Sequence, residues 1–396
     1  MTRISIFFLG LMWGLIFQSR AQLLQNTIGG TGQDICFGVS STGGRVMYAG
    51  YTNSFGAGNS DFYLKGGGNA ISKTYGGLND DFCRSLTSAT TASGIGLNYI
   101  SAGSTESFGA GSKDILVVKT DDLGNVIWAR TFGGGSDDEA YKVIEDLNPG
   151  VDTSYVITGY TSSFGAGGRD IIYLVLNTNG TIRTAKTFGT AGDELGNSLI
   201  KMTNPVPGIG IAGHTNSYGP TRDVVMIFIQ TNGVVKEIVS FDSGQDDYCY
   251  DLITDNNATV VFTGSIGSNP DLDILNFRYK VFSGIVWAKS FGTNLNDEGY
   301  AAVIPSAGND FFMGGYSNSG ASGIDAFAAS INYSTGILTS SKIYGSCGTD
   351  ILYDLDNRTG FSYGAGVSNS FGNGTQDWYL NTFDANSNSS CDQKTF

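Results

Sequence analysis

Tyr160-Thr161-Ser162-Ser163-Phe164-Gly165-Ala166-Gly167-Gly168-Arg169-Asp170 decides how the rest of this chain is read. A glycine- and serine-rich turn lies between two apolar runs, Val156-Ile157 before it and Ile171-Ile172-Tyr173-Leu174-Val175 after it. That is the pattern of two short strands joined by a tight loop. The loop recurs as Ser54-Phe55-Gly56-Ala57-Gly58 and at Ser107 to Gly111, each time with an aspartate opening the next strand.

Outward from this loop a second marker recurs. It reads Asn26-Thr27-Ile28-Gly29, Lys73-Thr74-Tyr75-Gly76, Arg130-Thr131-Phe132-Gly133 and Lys186-Thr187-Phe188-Gly189. It continues as Val239-Ser240-Phe241-Asp242, Lys289-Ser290-Phe291-Gly292 and Lys342-Ile343-Tyr344-Gly345. Successive starts lie 47, 57, 56, 53, 50 and 53 residues apart. A period near fifty is the mark of a repeat array, in the range of propeller blades.

Each period has one internal grammar. A polar turn carries an acid, Asp34, Asp81, Asp138, Asp193, Asp247, Asp297 or Asp350, and the first strand follows. The second strand is expected to end in a glycine: Gly50, Gly103, Gly159, Gly213, Gly264, Gly315 and Gly366. The third opens on Asp61, Asp114, Asp170, Asp223, Asp273, Asp325 or Asp377, and the fourth runs into the next edge motif. No window holds a helical period. Four strands per period and seven copies of each marker predict an all-β chain, a seven-bladed β-propeller of four-stranded blades with a repeat of about 50 residues. Two segments compete to close the ring: the first edge motif at Asn26, and Lys394-Thr395-Phe396, which looks like an eighth copy. A chain that stops inside a motif also fits a piece of a longer protein.

The Tyr-Thr-x-Ser-Phe-Gly-Ala-Gly-x-x-Asp segment followed by Lys-Thr-Phe-Gly edges resembles the bacterial-type β-propeller repeats often labelled SBBP, over roughly residues 26 to 396. The resemblance implies a secreted or cell-surface protein and no single activity. Repeats four to six depart from the loop pattern at Ser217-Tyr218-Gly219-Pro220, Ser265 to Pro270 and Ser319 to Gly323.

Residues 1–21 read as a signal peptide: Arg3, an apolar run from Ile4 to Phe17, and small residues at Ser19 and Ala21. Residues 22–396 are then a single exported domain, secreted, extracellular or held at the cell surface. No later segment is long and apolar enough for a membrane helix. A net charge of −14 repels phosphate backbones, which argues against nucleic acid as a partner.

The aspartates that open the third strands should share one face of the disc. Oxygen-rich loops bind calcium, so a structural calcium is one candidate role, but an aspartate in every repeat more simply accepts hydrogen bonds from its own turn. His214, the only histidine, holds the position of Tyr51, Tyr160 and Tyr316, which leaves no pattern for a Ser-His-Asp triad. Cys36, Cys83 and Cys249 occupy equivalent first-strand sites and read as small buried residues, whereas Cys347 and Cys391 are a candidate disulfide. Candidate N-glycosylation sites are Asn179, Asn257, Asn332, Asn357, Asn373 and Asn388. No catalytic, cofactor or metal set stands out. The expectation is a non-catalytic extracellular scaffold for protein or glycan binding, with the departing loops of repeats four to six as the place to look. The alternative is a propeller hydrolase, lyase or oxidoreductase with its site at the central funnel.

Overall fold

The computed structural model describes residues 25–395 apart from 68–70, 92–96, 148–152, 257, 306–307, 319–322, 359–360 and 385–392. The expected signal peptide lies outside the described residues. Among them every regular element is a β-strand, and no helix is long and apolar enough to cross a membrane.

Repeat three is representative. Asp138–Asp146, Ser154–Thr161, Asp170–Asn177 and Ile182–Phe188 pair antiparallel in that order. The second and third strands are buried at nearly every position because sheets pack on both of their faces, so they read as continuous apolar runs. The outer strand has no buried position. Residues 34–75, 81–132, 194–241 and 247–291 each form a four-stranded sheet of the same order.

The remaining strands form one nine-stranded sheet. Within it Asp297–Val303, Asp310–Ser317, Gly323–Asn332 and Leu338–Tyr344 repeat the four-strand order. A short parallel contact, Gly323 with Gly348 and Ile324 with Thr349, joins them to Gly348–Arg358, Phe361–Ser368 and Asp377–Phe383. The strands thus make about seven groups, and their first strands contact one another in cyclic order, the last against the first.

The closing strand is the N-terminal one. Gln25–Ile28 pairs antiparallel with Asp377–Phe383, from Gln25 opposite Asn381 to Ile28 opposite Trp378. The Trp378 indole N–H donates to the Tyr51 carbonyl across the same closure, at 3.2 Å. Gln393–Thr395 instead lies outside Leu338–Tyr344, as an added edge strand.

Every first strand carries a bulge at the same place, between Cys36 and Gly38 in repeat one and between Ala140 and Lys142 in repeat three. The expected strand-ending glycines face this bulge and do not end their strands, which run two residues further, as in Arg45–Thr52, or four in Thr259–Ser268. A Cβ on Gly50 would fall 1.9 Å from the Ile35 carbonyl oxygen, so the bulge requires glycine opposite it.

Apolar packing between neighbouring sheets supplies the core. Ile100, Val117 and Ala102 of repeat two meet Val143, Ile157 and Leu174 of repeat three. Each fully buried Val, Ile or Leu contributes roughly 1.5–3 kcal/mol. Outer-strand tryptophans add polar ties: the Trp128 and Trp287 indoles donate to the Thr178 and Tyr333 carbonyls of the next repeat, at 3.0 and 3.1 Å.

Candidate functional site

One face of the ring gathers the connections between repeats and the loops between second and third strands. Both aspartate series lie there, at the joints. At the joint between repeats two and three, Asp114 Oδ2 accepts the amides of Ala110 and Gly111 at 2.9 and 3.0 Å, fastening its own loop. Asp138 Oδ2 accepts the Gly134 amide at 2.9 Å and the Ser163 hydroxyl at 2.7 Å, fastening the incoming connection. The edge glycine is wedged between them, since a Cβ on Gly133 would lie 2.0 Å from Asp114 Oδ1 and 2.7 Å from Asp138 Oδ2. Asp61, Asp170 and Asp377 hold their loops in the same way. These are buried turn clasps. Asp223, Asp273 and Asp325 stand at the same place; Asp273 and Asp325 lie two residues inside their strands rather than opening them.

One assignment from the sequence is corrected. The acid at the joint between repeats three and four is Glu194, not Asp193. Glu194 accepts the Thr190 amide at 2.7 Å and the Thr215 hydroxyl at 2.7 Å, whereas Asp193 sits in the turn and accepts the Arg169 amide. The signal was present: the joint acid follows the edge position by five residues in every repeat, and Gly189 plus five is Glu194.

The same face exposes an arc of aromatic rings. Phe55, Phe108, Phe164, Tyr218 and Phe371 occupy one loop position in repeats one, two, three, four and seven, between 38% and 59% exposed. The three phenylalanines from repeats one to three each rest an edge on a connection glycine. A Cβ on Gly30, Gly77 or Gly134 would come within 3.4, 3.3 or 3.2 Å of the ring tip. The other edge faces solvent. Repeat five breaks the arc, because its strands Thr259–Ser268 and Asp271–Lys280 run on to a tight turn. Residues 319–322 of repeat six lie outside the described residues.

The axis is filled by the bulged residues. Tyr250 and Tyr300 rings lie 4.8 Å apart, Tyr300 and Tyr353 5.3 Å, and Phe37 and Tyr353 4.8 Å. The Arg84 guanidinium covers Phe37 at 4.6 Å and bonds Glu139 at 2.7 Å. One layer away, Lys142 Nζ stands between Asp354 at 3.5 Å and Asp251 at 3.8 Å, joining repeats three, five and seven. Asp251 also accepts the Ser198 hydroxyl at 2.8 Å and the Ala302 amide at 2.9 Å, and Asp354 the Val39 amide at 2.9 Å. The bulge frees an amide, and a carboxylate of the preceding repeat satisfies it. With two carboxylates to one ammonium, burial and the neighbouring acids push the Asp354 carboxyl up to about 6, while the acids hold Lys142 protonated. Sequence reading missed this cluster, whose members share one repeat position but lie about a hundred residues apart.

His214 sits where Tyr51, Tyr160 and Tyr316 sit, one residue from the bulge. Burial, with Arg222 nearby, lowers its pKa to about 4, and the neutral ring can accept the Asn197 amide at Nδ1 at 3.1 Å. Cys36, Cys83 and Cys249 are buried free thiols; Cys347 is free and exposed, and Cys391 lies outside the described residues. Asn179 and Asn373 are exposed in turns. Asn332 and Asn357 are half-buried with amide nitrogens donating to Asp310 and to the Ile304 carbonyl, which hinders glycan attachment. Asn257 and Asn388 lie outside the described residues. Two cavities, of about 690 and 500 Å³, lie away from the axial charges.

No family model and no curated protein matches this chain. Solved structures do. The Pan2 WD40 domain of Neurospora crassa is 11% identical with a TM-score of 0.50, covering 91% of each chain. Sqt1 from Chaetomium thermophilum is 10% identical with a TM-score of 0.51, over 93% of this chain and 86% of that one. BBS1N, solved in complex with ARL6DN, is 10% identical with a TM-score of 0.51, over 91% of this chain and 96% of that one. At such identities the likeness shows the fold alone, a β-propeller.

Proposed function

We propose that this chain is a seven-bladed, non-catalytic propeller scaffold, exported to the cell surface or medium, that binds a protein partner through its aromatic loop face. The seven blades are the seven sequence repeats, with Gln25–Ile28 supplying the outer strand of the last. The arc of half-exposed rings in repeats seven, one, two, three and four carries the reading. Aromatic side chains on a rigid frame offer large contact area at little entropic cost, and recognition concentrates on such loops. This keeps the departing loop of repeat four, which carries Tyr218, and moves the rest of the expected contact surface from repeats five and six to the regular loops. Export rests on the leader-like residues 1–21 and on the resemblance to SBBP repeats. The neighbour BBS1N is a propeller-like chain solved with a protein partner, which is in keeping with the role. The axial charges favour no enzyme, since Arg84 is bonded to Glu139, and Lys142 to Asp251 and Asp354.

The test is saturable retention of labelled protein by cells of the source organism, compared with Phe108→Ser/Phe164→Ser/Tyr218→Ser. Loss of at least about tenfold in affinity, with an unchanged melt, is expected, because buried aromatic anchors are worth about 2 kcal/mol or more each. Undiminished binding by the triple variant removes the aromatic face. Retention abolished by deglycosylating the cells points to glycan in place of protein.

A further inference from the structure

The joint between repeats four and five departs from every other joint at the edge position, and it shares with the next joint a proline in the loop before the third strand; both features act on the same carboxylates. The edge position, glycine at residues 29, 76, 133, 189, 292 and 345, is Asp242 here. At the glycine joints an added Cβ would fall 1.9–2.3 Å from a third-strand aspartate oxygen, which leaves no room for a side chain. At this joint a third carboxylate is placed beside the two that every joint holds.

The proline removes a donor. In repeats one, two, three and seven the residue three before the third-strand aspartate, Gly58, Gly111, Gly167 or Gly374, gives its amide to that carboxylate. In repeats four and five that residue is Pro220 or Pro270, which has no N–H; of the two aspartates that follow, Asp223 is the buried one. Asp223 is only 3% exposed, and its buried Oδ1 has no hydrogen-bond partner. Among the described residues no donor reaches either of its carboxylate oxygens. A buried, unpartnered carboxylate costs several kcal/mol unless something neutralises it.

Asp223, Asp242 and Asp247 each place a carboxylate oxygen within 4.8 Å of the others. Calcium takes six to eight oxygens at about 2.3–2.6 Å, so two of its ligands lie up to about 5 Å apart. Asp247 is oriented by the Ser243 amide and hydroxyl, both at 2.8 Å, and Asp242 by the Gly244 amide at 2.6 Å. Asp242 is exposed, which leaves one side open to water ligands. Among the described residues no cation pairs with these carboxylates, although Lys289 lines the same cavity as Asp242 and Asp247. The Arg222 guanidinium lies over the Tyr248 ring at 5.4 Å and bonds its hydroxyl, and Lys289 is exposed on the wall of the 500 Å³ cavity.

We propose that Asp223, Asp242 and Asp247 form a calcium site that pins repeat four to repeat five. Burial raises the carboxyl pKa of Asp223 and Asp247, with Asp242 adding to both, as expected of acids assembled for a cation. The ion supplies the partner that Pro220 withholds and offsets the crowding that Asp242 introduces. Magnesium fits less well, because it demands a near-ideal octahedron that one exposed and two buried carboxylates do not build.

Calorimetric titration of the chelator-stripped full chain with calcium chloride, and thermal melts with and without it, test the assignment. One calcium per chain is expected, with a dissociation constant of about 10⁻³ M or tighter, and a raised melting temperature. Asp242→Gly restores the residue of the other joints; it should weaken binding at least about tenfold and melt in chelator no lower than the native chain. Asp242→Asn keeps the shape and gives the same loss should the glycine variant not fold. Asp273→Asn, at the next joint, should leave the response unchanged. No heat and no thermal shift in millimolar calcium overturns the proposal, and so does a calcium response from both Asp242 variants as strong as that of the native chain.

Discussion

Lys142→Met removes the cation that pairs with both Asp251 and Asp354. The lysine side chain is 27% exposed and its partners 8% and 13%, so the cluster is poorly screened. At an effective dielectric near 20, unit charges about 3.5 Å apart attract by about 5 kcal/mol, and ammonium desolvation takes back most of the two contacts. Breaking a buried pair costs about 3–5 kcal/mol. For a chain of 396 residues unfolding as one unit this lowers the melting temperature by about 4–6 °C. The loss should also depend on pH. Asp354 has a pKa of about 6 when folded, against about 4 unfolded, so the folded chain holds that proton more tightly. Its contribution therefore favours the native state most below about pH 4 and is lost as pH rises through about 6, a change of about 2–3 kcal/mol. In the variant the deficit is greatest where the carboxyl is ionised, and should fall to about half between about pH 8 and pH 5. Melts followed by circular dichroism at both pH values check this. A drop under about 1 °C, or an equal deficit at both, refutes the reasoning.

Gly133→Ala, with its Cβ 2.0 Å from Asp114 Oδ1, should destabilise by about 1–3 kcal/mol. Gly135→Ala, two residues on, meets nothing within 4 Å and should be neutral or stabilising by up to about 1 kcal/mol; urea midpoints distinguish the two. Burial raises the thiol pKa of Cys36, Cys83 and Cys249, so these should resist a disulfide reagent until the chain unfolds. Cys347→Ser should lower the count of fast-reacting thiols by one, and an unchanged count would mean that Cys347 is shielded.

Much of the fold was legible because strands and turns are written in adjacent residues. The apolar run Ile171-Ile172-Tyr173-Leu174-Val175 is a central strand, and Ser163-Phe164-Gly165-Ala166-Gly167 is the loop before it. The buried first-strand cysteines and the structural place of His214 also followed from repeat position. Glu194 was missed because two adjacent acids compete, and a one-residue change in strand register reverses which side chain enters the joint. The repeated glycines were visible, but their reason was not: each faces a bulge on another strand.

By itself the sequence determined the period, the four-strand grammar and the two acids of every joint but the one that holds Glu194, since alternation and turn chemistry are local. Tertiary structure decided which terminal strand closes the ring, because Gln25–Ile28 and Gln393–Thr395 carry the same motif and only the free edge of Asp377–Phe383 selects between them. It also decided what meets across the molecule. Lys142, Asp251 and Asp354 come together only because closure points equivalent positions of different repeats at one axis. Asp223, Asp242 and Asp247 converge only because adjacent sheets share a joint, where excluded volume and the scarcity of donors, not sequence proximity, determine the role of a carboxylate.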